Sequence, residues 1–273
     1  MAKADGGAKV QAGRVRVGIG GWTYEPWRGT FYPKGLAQKN ELAYAAEHLT
    51  AIEINGTFYG SQKPASFIKW REETPEDFVF SVKAPRFVVQ RRALAEARES
   101  IERFFSSGVG ELREKLGPIL WQFAPTKKFD PMDFAAFLDL LPRELAGRPL
   151  RHALEVRHAS FVCEAFVDLT RKAKVGIVIA CDSDHPQIAD ATADFAYFRI
   201  MGAQESEAFG YAPTALKQWA TRSSALAHGK LVDDLNHVTR TKASAPRDVF
   251  LFFISGFKQR NPAAAMELLR RLG

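Results

Sequence analysis

Five ionisable residues lie within or directly after short apolar runs, where burial of a charged side chain is energetically costly. Glu53 follows Ile52 and Glu155 follows Leu154, while Lys83, Arg157 and Arg199 stand in similar surroundings. Such carboxylates could move protons, and the cations could hold an anion. A lysine whose pKa is lowered by cationic neighbours could also attack a carbonyl carbon.

The alternative is a buried salt-bridge network that only holds the fold together. For Lys83 this means an ion pair with Glu53 or Glu155. Buried ion pairs rarely stabilise a protein more than apolar packing would, and unpaired buried charges are costly. We therefore interpret the five residues as part of a functional site.

The elements that must position these residues are eight short apolar segments, which predict strands at 15–20, 51–55, 78–84, 119–123, 152–157, 176–182, 195–201 and 249–254. Helical spacing lies between most of them, at 40–49, 65–73, 93–107, 132–141, 161–174 and 214–228, and again at 262–272. Alternating strands and helices predict parallel βα units, and the length is close to the roughly 250 residues of a (β/α)8 barrel. We predict an α/β fold with a single TIM barrel over residues 15–273 and a disordered, mobile tail over 1–14. An open doubly wound sheet is the alternative, although Gly18, Gly20 and Gly21 do not open a helix as a dinucleotide fingerprint would.

Side chains of a barrel strand point alternately into the barrel and toward the helices. Ile52 and Ile54 suit the helix layer, which directs Glu53 and Asn55 inward. The same alternation predicts inward positions for Lys83, Gln122, Glu155, Arg157, Asp182 and Arg199. These residues stand near the C-terminal strand ends, where barrel enzymes have their active sites, so we expect three carboxylates and three cations at one mouth.

Composition excludes several classes of protein. The 273 residues are 46% hydrophobic and 25% charged, with a net charge of +7, which excludes a disordered chain, a fibrous repeat and a disulfide scaffold. The longest apolar runs, 175–181 and 249–254, are too short to span a membrane, so no membrane partner is expected. Two cysteines and no signal-peptide pattern predict a cytoplasmic protein.

The loops predicted at the mouth are rich in charge. Those after strands eight, one, two, three and four carry two acidic and ten basic residues, the latter being Arg28, Lys34, Lys63, Arg86, Arg91, Arg92, Lys127, Lys128, Lys258 and Arg260. Acidic residues dominate 182–213, namely Asp182, Asp184, Asp190, Asp194, Glu205 and Glu207. Opposed arcs of charge would steer an anion to one side of the mouth, and scattered solvated charges are the alternative.

The first two loops are also rich in aromatic residues. They are Trp22, Tyr24, Trp27, Phe31, Tyr32, Phe58 and Tyr59. Rings beside cations could stack on sugars or bases, with Trp22 and Tyr59 exposed in the pocket. A lid that packs on itself is the equal alternative.

As a set, these residues resemble the family known as domain of unknown function 72, the YecE-like proteins. The matching segments are Gly18-Ile-Gly-Gly-Trp22-Thr-Tyr24 with Trp27, Gly29, Phe31, Tyr32 and Pro33; Glu53-Ile-Asn55-Gly-Thr57-Phe58-Tyr59; Phe80-Ser-Val-Lys83-Ala84; Leu116-Gly-Pro118 with Gln122; and Glu155-Val-Arg157-His158-Ala-Ser160. The resemblance implies a TIM barrel and no established activity. Members are often likened in fold to the endonuclease IV and xylose isomerase barrels, which use metals.

The chain departs from the family pattern at two places. Arg199-Ile-Met201-Gly202 stands where the family has Arg-x-His-Gly, and Phe252-Phe-Ile-Ser255-Gly256 stands where it has an Asn-rich stretch. A mechanism that needs that histidine or asparagine is not supported here. The chain keeps the residues of the family pattern at seven positions, which are Glu53, Lys83, Gln122, Glu155, Arg157, His158 and Arg199.

A divalent metal would need free carboxylates or imidazoles. The candidates are Glu53, Glu155, Asp182, His158 and His185, and three cations would compete for the carboxylates. We therefore predict no cofactor and no metal site, with a divalent metal as the lesser alternative. His158 is either a proton-transfer group or a hydrogen-bonded histidine at a strand end.

The sequence thus predicts an enzyme, of undetermined hydrolase or isomerase class, that acts by acid–base chemistry on a small polar anion, phosphorylated or sugar-like. The predicted catalytic residues are Glu53, Glu155, Lys83 and His158. The predicted substrate-binding residues are Arg157, Arg199, Gln122, Asn55, Trp22, Tyr59 and Asp182. A nucleic-acid-binding or endonuclease-like protein, and a non-catalytic ligand-binding protein, are the alternatives.

Overall fold

Eight parallel strands form a closed barrel in the computed structural model, which describes residues 11–239 and 245–273. Each strand pairs with its neighbours along the chain, and the first also pairs with the last. The strands are β1 Val15–Gly20, β2 Ala51–Ile54, β3 Val79–Lys83, β4 Leu116–Gln122, β5 His152–Glu155, β6 Gly176–Cys181, β7 Phe195–Ile200 and β8 Asp248–Phe253. All eight predicted strands and the TIM-barrel fold are confirmed.

Helices lie in every connection between the strands except the one from β6 to β7, and a further helix follows β8. These are α1 Glu41–His48, α2 Gly56–Tyr59, α3 Pro64–Glu72, α4 Arg86–Val89, α5 Arg98–Ser106, α6 Pro131–Leu140, α7 Glu164–Ala173, α8 Pro213–Ala227 and α9 Asn261–Leu272. Proline occupies the first turn of α3, α6, α8 and α9, where the missing N–H has no intrahelical partner to lose. Within the described residues, no helix is both long and apolar enough to cross a membrane.

Two apolar layers follow from the alternation along the strands. Ile52, Val82 and Phe198 belong to the larger cluster between the barrel and its helices. Leu120 and Phe252 belong to a separate cluster inside the barrel. The interior therefore has an apolar cluster of its own, which it shares with the polar residues described below.

The expected N-terminal tail falls largely on residues 1–10, which lie outside the described chain. Residues 13 and 14, which the sequence assigned to the same tail, are instead held against the barrel. The Gly13 N–H donates to the Ala227 carbonyl at 2.8 Å, and the Arg14 N–H donates to an Asp248 carboxylate oxygen at 2.9 Å. A β-carbon at Gly13 would lie 2.0 Å from the Arg247 carbonyl oxygen, so only glycine allows this close approach.

Candidate active site

Arg199 of β7 lies at the centre of the barrel mouth and joins two carboxylates from other strands. Its Nε and Nη2 donate to Oε2 and Oε1 of Glu53 on β2, at 3.1 and 3.0 Å. Its Nη1 donates to Oε2 of Glu155 on β5 at 2.6 Å. Both glutamates are fully buried and Arg199 is 3% exposed. The predicted convergence of these strand ends is therefore present in the structure.

Glu155 is held by two further residues. The Arg157 Nε and Nη2 donate to its Oε1 at 2.9 and 2.7 Å, and the Gln122 amide donates to its Oε2 at 2.7 Å. Burial alone would raise the pKa of Glu155, but Arg199, Arg157 and the Gln122 hydrogen bond together lower it to about 2. A carboxylate of such low basicity does not fit the predicted role of a general base at neutral pH.

Tyr197 and Ser81 complete the surroundings of Glu53. The Tyr197 hydroxyl donates to Glu53 Oε2 at 2.7 Å, and the Ser81 Oγ lies 2.7 Å from the Tyr197 oxygen. Burial and the Glu53 charge raise the pKa of Tyr197 well above its usual value. Neither residue is among those predicted from the sequence, although Tyr197 stands two positions before Arg199, and Ser81 two before Lys83, and each therefore has the same inward direction. Every carboxylate oxygen of Glu53 thus accepts a hydrogen bond, as in Glu155.

Lys83 ends β3 beside this network but does not join it. Its Nζ makes no hydrogen bond or ion pair with the described residues and lies 4.1 Å from the centre of the Phe58 ring. The expected salt bridge to Glu53 or Glu155 is absent there because Arg199, Arg157, Tyr197 and Gln122 already occupy those oxygens. Burial, followed by the charge of Arg199, lowers the pKa of Lys83 to about 8.

A short helix places Phe58 under Lys83. The Thr57 hydroxyl in α2 donates to the Lys83 carbonyl at 2.7 Å and lies 3.2 Å from the Ile54 carbonyl. This buried hydroxyl ties the ends of β2 and β3 to α2. The Phe58 ring is thereby fixed beside the ammonium group, where it forms a cation–π contact.

Asp182 was predicted to point inward, and this prediction is wrong. The residue follows β6 with a φ of +52°, in the left-handed region that interrupts strand alternation. The pKa of its carboxyl group is raised by burial, against which the charge of Arg222 and the side chain of Trp219, both on α8, act to lower it. Asp182 therefore belongs to the helix side of the mouth, so that two of the three carboxylates predicted to point inward, Glu53 and Glu155, do so.

Two histidines lie near the rim. His185 follows β6, and burial together with the Arg157 charge lowers its pKa, with Glu155 and Arg199 also close enough to act on it. From the sequence, His185 is a candidate only for metal binding. His158 instead accepts the Ser160 N–H with its Nδ1 and caps the 3-10 turn Ala159–Phe161. The geometry thus favours the structural interpretation of His158.

The remaining predicted binding residues have different surroundings. Asn55 stays at the rim, where its amide lies 3.3 Å from the Glu53 carbonyl. Trp22 does not face the pocket, because it packs edge-on against Trp70 at 5.1 Å and is tied through its carbonyl to the Tyr32 hydroxyl. Tyr59 is 71% exposed, and its predicted position in a substrate pocket stays a prediction.

The aromatic loops form a lid that packs on itself. Trp27 and Tyr32 are buried, Tyr24 meets Trp27 edge-on at 5.2 Å, and the Trp27 indole donates to the Lys258 carbonyl at 3.0 Å. This favours the packing interpretation for most of these rings over an open stacking platform.

The predicted opposed arcs of charge are only partly present. Asp194 lies at the opposite, N-terminal end of the barrel, 3.7 Å from Arg151, because it precedes β7. Among the basic residues, Arg28 pairs with Glu41 at 2.7 Å and Lys127 pairs with Asp133 at 2.8 Å. The nucleic-acid hypothesis, which relied on the basic arc, stays a prediction.

The donor set does not fit a metal ion. No group of three or more His, Cys, Asp and Glu side chains in residues 11–239 and 245–273 is arranged to hold one. Glu53 and Glu155, the inward carboxylates, have all their oxygens hydrogen-bonded by cations or by neutral donors. A ligating ion would have to displace Arg199 from its position between them.

Known proteins of similar sequence are the curated YecE of Escherichia coli K12 and YunF of Bacillus subtilis 168, both named UPF0759 proteins. The chain is 29% identical to YecE over 150 residues, which is 54% of this chain and 50% of YecE. It is 28% identical to YunF over 187 residues, which is 65% of this chain and 63% of YunF. The matches therefore span between half and two thirds of the relatives' length.

Solved structures with the same fold include a DUF72 family protein from Thermotoga maritima MSB8. It is 25% identical, has a TM-score of 0.71, and the alignment covers 95% of this chain and 99% of that one. A DUF72 family protein from Enterococcus faecalis V583 is 17% identical, with a TM-score of 0.71 and coverage of 94% and 95%.

The family resemblance seen in the sequence is confirmed across the barrel. The sequence model described as "Protein of unknown function DUF72" matches residues 16–273, which includes all eight strands except the first residue of β1. The chain therefore belongs to the DUF72 family.

Proposed function

We propose that this chain is an enzyme that moves a proton to or from a small polar anion at the C-terminal mouth of the barrel, with Lys83 as the proton carrier. The observation that carries the proposal is the Lys83 ammonium, which is 6% exposed and has no anionic partner among the described residues. Its pKa of about 8 suits proton transfer near neutral pH, because both protonation states are populated there.

The charge at the mouth supports an anionic substrate. Glu53 and Glu155 face Arg157, Arg199 and protonated Lys83, so the cluster has one positive charge in excess. The sequence had predicted a balance, and the outward position of Asp182 removes it. A substrate carboxylate would restore neutrality beside Lys83, and a phosphate group, with a charge of about −2 at neutral pH, would more than offset the excess.

Arg157 is the proposed anchor for that anion. Its side chain is 21% exposed, and its bonds to Glu155 use Nε and Nη2, so Nη1 remains for a ligand. Arg199 donates from all three of its nitrogens to the glutamates. We assign Arg199, Glu53 and Glu155 the role of positioning residues that keep Arg157 and Lys83 in place. The cytoplasm remains the proposed location.

Exchange of carbon-bound hydrogen tests the proposal without knowledge of the natural product. Pyruvate is incubated with the protein in D2O, and loss of its methyl signal is followed by proton NMR. We expect protein-dependent exchange that is lost in Lys83→Arg, because arginine keeps the charge but does not release a proton near neutral pH. Lys258→Arg is the matched control, since Lys258 also lies over aromatic rings at the mouth.

Binding is measured in parallel by calorimetry with inorganic phosphate and with pyruvate. Arg157→Gln is expected to weaken both ligands at least about tenfold, since a hydrogen bond to a charged group contributes roughly 1.5–3 kcal/mol. Asp182→Asn should leave both affinities unchanged. Absence of exchange together with absence of binding would contradict the proposed function.

A further inference from the structure

The glutamates beside Lys83 are unusual because they do not neutralise it. Arg199 takes both oxygens of Glu53 and one of Glu155, and Arg157 takes the other. Two carboxylates lie near enough to pair with Lys83, but the positions of the strands bring both of them into ion pairs with the two arginines instead. Among residues 11–239 and 245–273, the lysine amine consequently has no bond that would hold its proton or block its lone pair.

We propose that Lys83 is a covalent nucleophile that forms an imine with a small aldehyde or ketone bearing an anionic group. This deepens the proposed function, on which it rests, by naming the substrate class. The anionic group would contact the free Nη1 of Arg157, and the carbonyl carbon would meet Nζ at the end of β3.

The proposed step balances without a further reagent. The lone pair of neutral Nζ attacks the carbonyl carbon, the C–O π bond breaks, and the oxygen takes a proton that the attacking nitrogen gives up, which yields a neutral carbinolamine. A second proton from solvent lets this oxygen leave as water while the C=N bond forms. In total, one amine, one carbonyl and one proton give one iminium ion and one water molecule.

The surroundings of Lys83 favour both sides of this step. With a pKa of about 8 instead of 10.5, the neutral fraction at pH 7.5 is on the order of a hundred times that of an exposed lysine. The iminium ion then carries its positive charge where the ammonium stood, over the Phe58 ring at 4.1 Å. An iminium withdraws electrons from the neighbouring carbon and so acidifies the C–H bond there. While Lys83 is held in the iminium, the proton of that C–H bond passes to solvent rather than to Lys83.

Borohydride trapping tests the inference. The protein is incubated at pH 7.5 with pyruvate or glyoxylate, reduced with sodium borohydride, and analysed by intact mass and peptide mapping. L-Lactate, which has the carboxylate but no carbonyl, is the chemical control. We expect one reduced adduct on Lys83 with a carbonyl probe, none with lactate, and at least about ten times less labelling at exposed lysines, given the difference in neutral fraction.

Two variants make the outcome specific. Lys83→Arg should abolish the adduct, and Lys258→Arg, which changes the other lysine over aromatic rings, should keep it. Thermal unfolding of each variant shows whether it is folded. Labelling spread over surface lysines, or no adduct with either carbonyl probe, would overturn the inference. If exchange and anion binding persist without an adduct, the imine is wrong while the proposed proton transfer stands.

Discussion

Arg199 binds Glu53 through two parallel hydrogen bonds, from Nε to Oε2 and from Nη2 to Oε1, at 3.1 and 3.0 Å. These residues are 146 positions apart in the chain and lie on β7 and β2, across the barrel from each other. A planar guanidinium that grips both oxygens of a carboxylate fixes its orientation as well as its charge. Because the third nitrogen holds Glu155, removal of Arg199 would leave two buried carboxylates short of their partner.

Arg199→Met is expected to destabilise the protein by about 3–5 kcal/mol, because it breaks a buried ion-pair network by removing one partner. The free energy of unfolding is measured in urea at pH 7. Arg148→Met is the matched control, since Arg148 forms an exposed pair with Glu114 at 3.8 Å and should change stability by roughly 0.5 kcal/mol or less. Equal effects of the two substitutions would contradict the network.

Acid should unfold the protein partly through Glu155. Its pKa is lowered from 4.5 to about 2 in the folded protein, so its contribution is fully present above pH 4.5 and is lost as the pH falls toward 2. The expected loss is on the order of 3 kcal/mol. Unfolding free energies at pH 2–6 should therefore fall less steeply with acid in Glu155→Gln than in wild type, whereas Asp168→Asn, an exposed carboxylate, keeps the wild-type slope. Parallel slopes in all three proteins would rule this contribution out.

Lys83→Met is expected to stabilise the protein at pH 7 by about 1–3 kcal/mol, since methionine avoids burial of an unpaired charge. The lowered pKa means that the folded protein loses the proton near pH 8 and the unfolded chain only near 10.5. Wild-type stability should thus rise with pH over this interval, and the advantage of the variant should be largest below pH 8 and fade toward 10.5. Urea unfolding at pH 7 and pH 10 measures the difference.

The control for this prediction is Lys128→Met, which changes an exposed lysine and should have no pH-dependent effect. If Lys83→Met is less stable than wild type at both pH values, Lys83 is an ordinary packing residue and the cost attributed to its charge does not exist.

Asp182 should tolerate glycine better than valine. Its φ of +52° lies in the left-handed region, which a β-branched residue adopts only at a cost of roughly 1–2 kcal/mol. Asp182→Val is therefore expected to be less stable than Asp182→Gly by about that amount in urea unfolding. Neither variant should alter phosphate affinity, because the side chain faces Arg222 rather than the barrel interior. Weaker phosphate binding in both the glycine and the valine variant would instead show that Asp182 contributes to the binding site.

The sequence by itself determined the eight strands and the inward direction of Glu53, Lys83, Glu155 and Arg199. Both are local properties, since apolar periodicity and strand alternation depend only on neighbours in the chain. The same alternation already pointed to Tyr197 and Ser81, which are equally inward. Only the tertiary structure decided which charges pair, because Arg199 meets Glu155 from 44 residues away after the barrel closes. It also decided that Asp182 turns outward, through one backbone angle in the left-handed region. Lys83 has no carboxylate partner among the described residues because the planar guanidinium groups of Arg199 and Arg157 bind the carboxylates in a geometry that no local sequence pattern encodes.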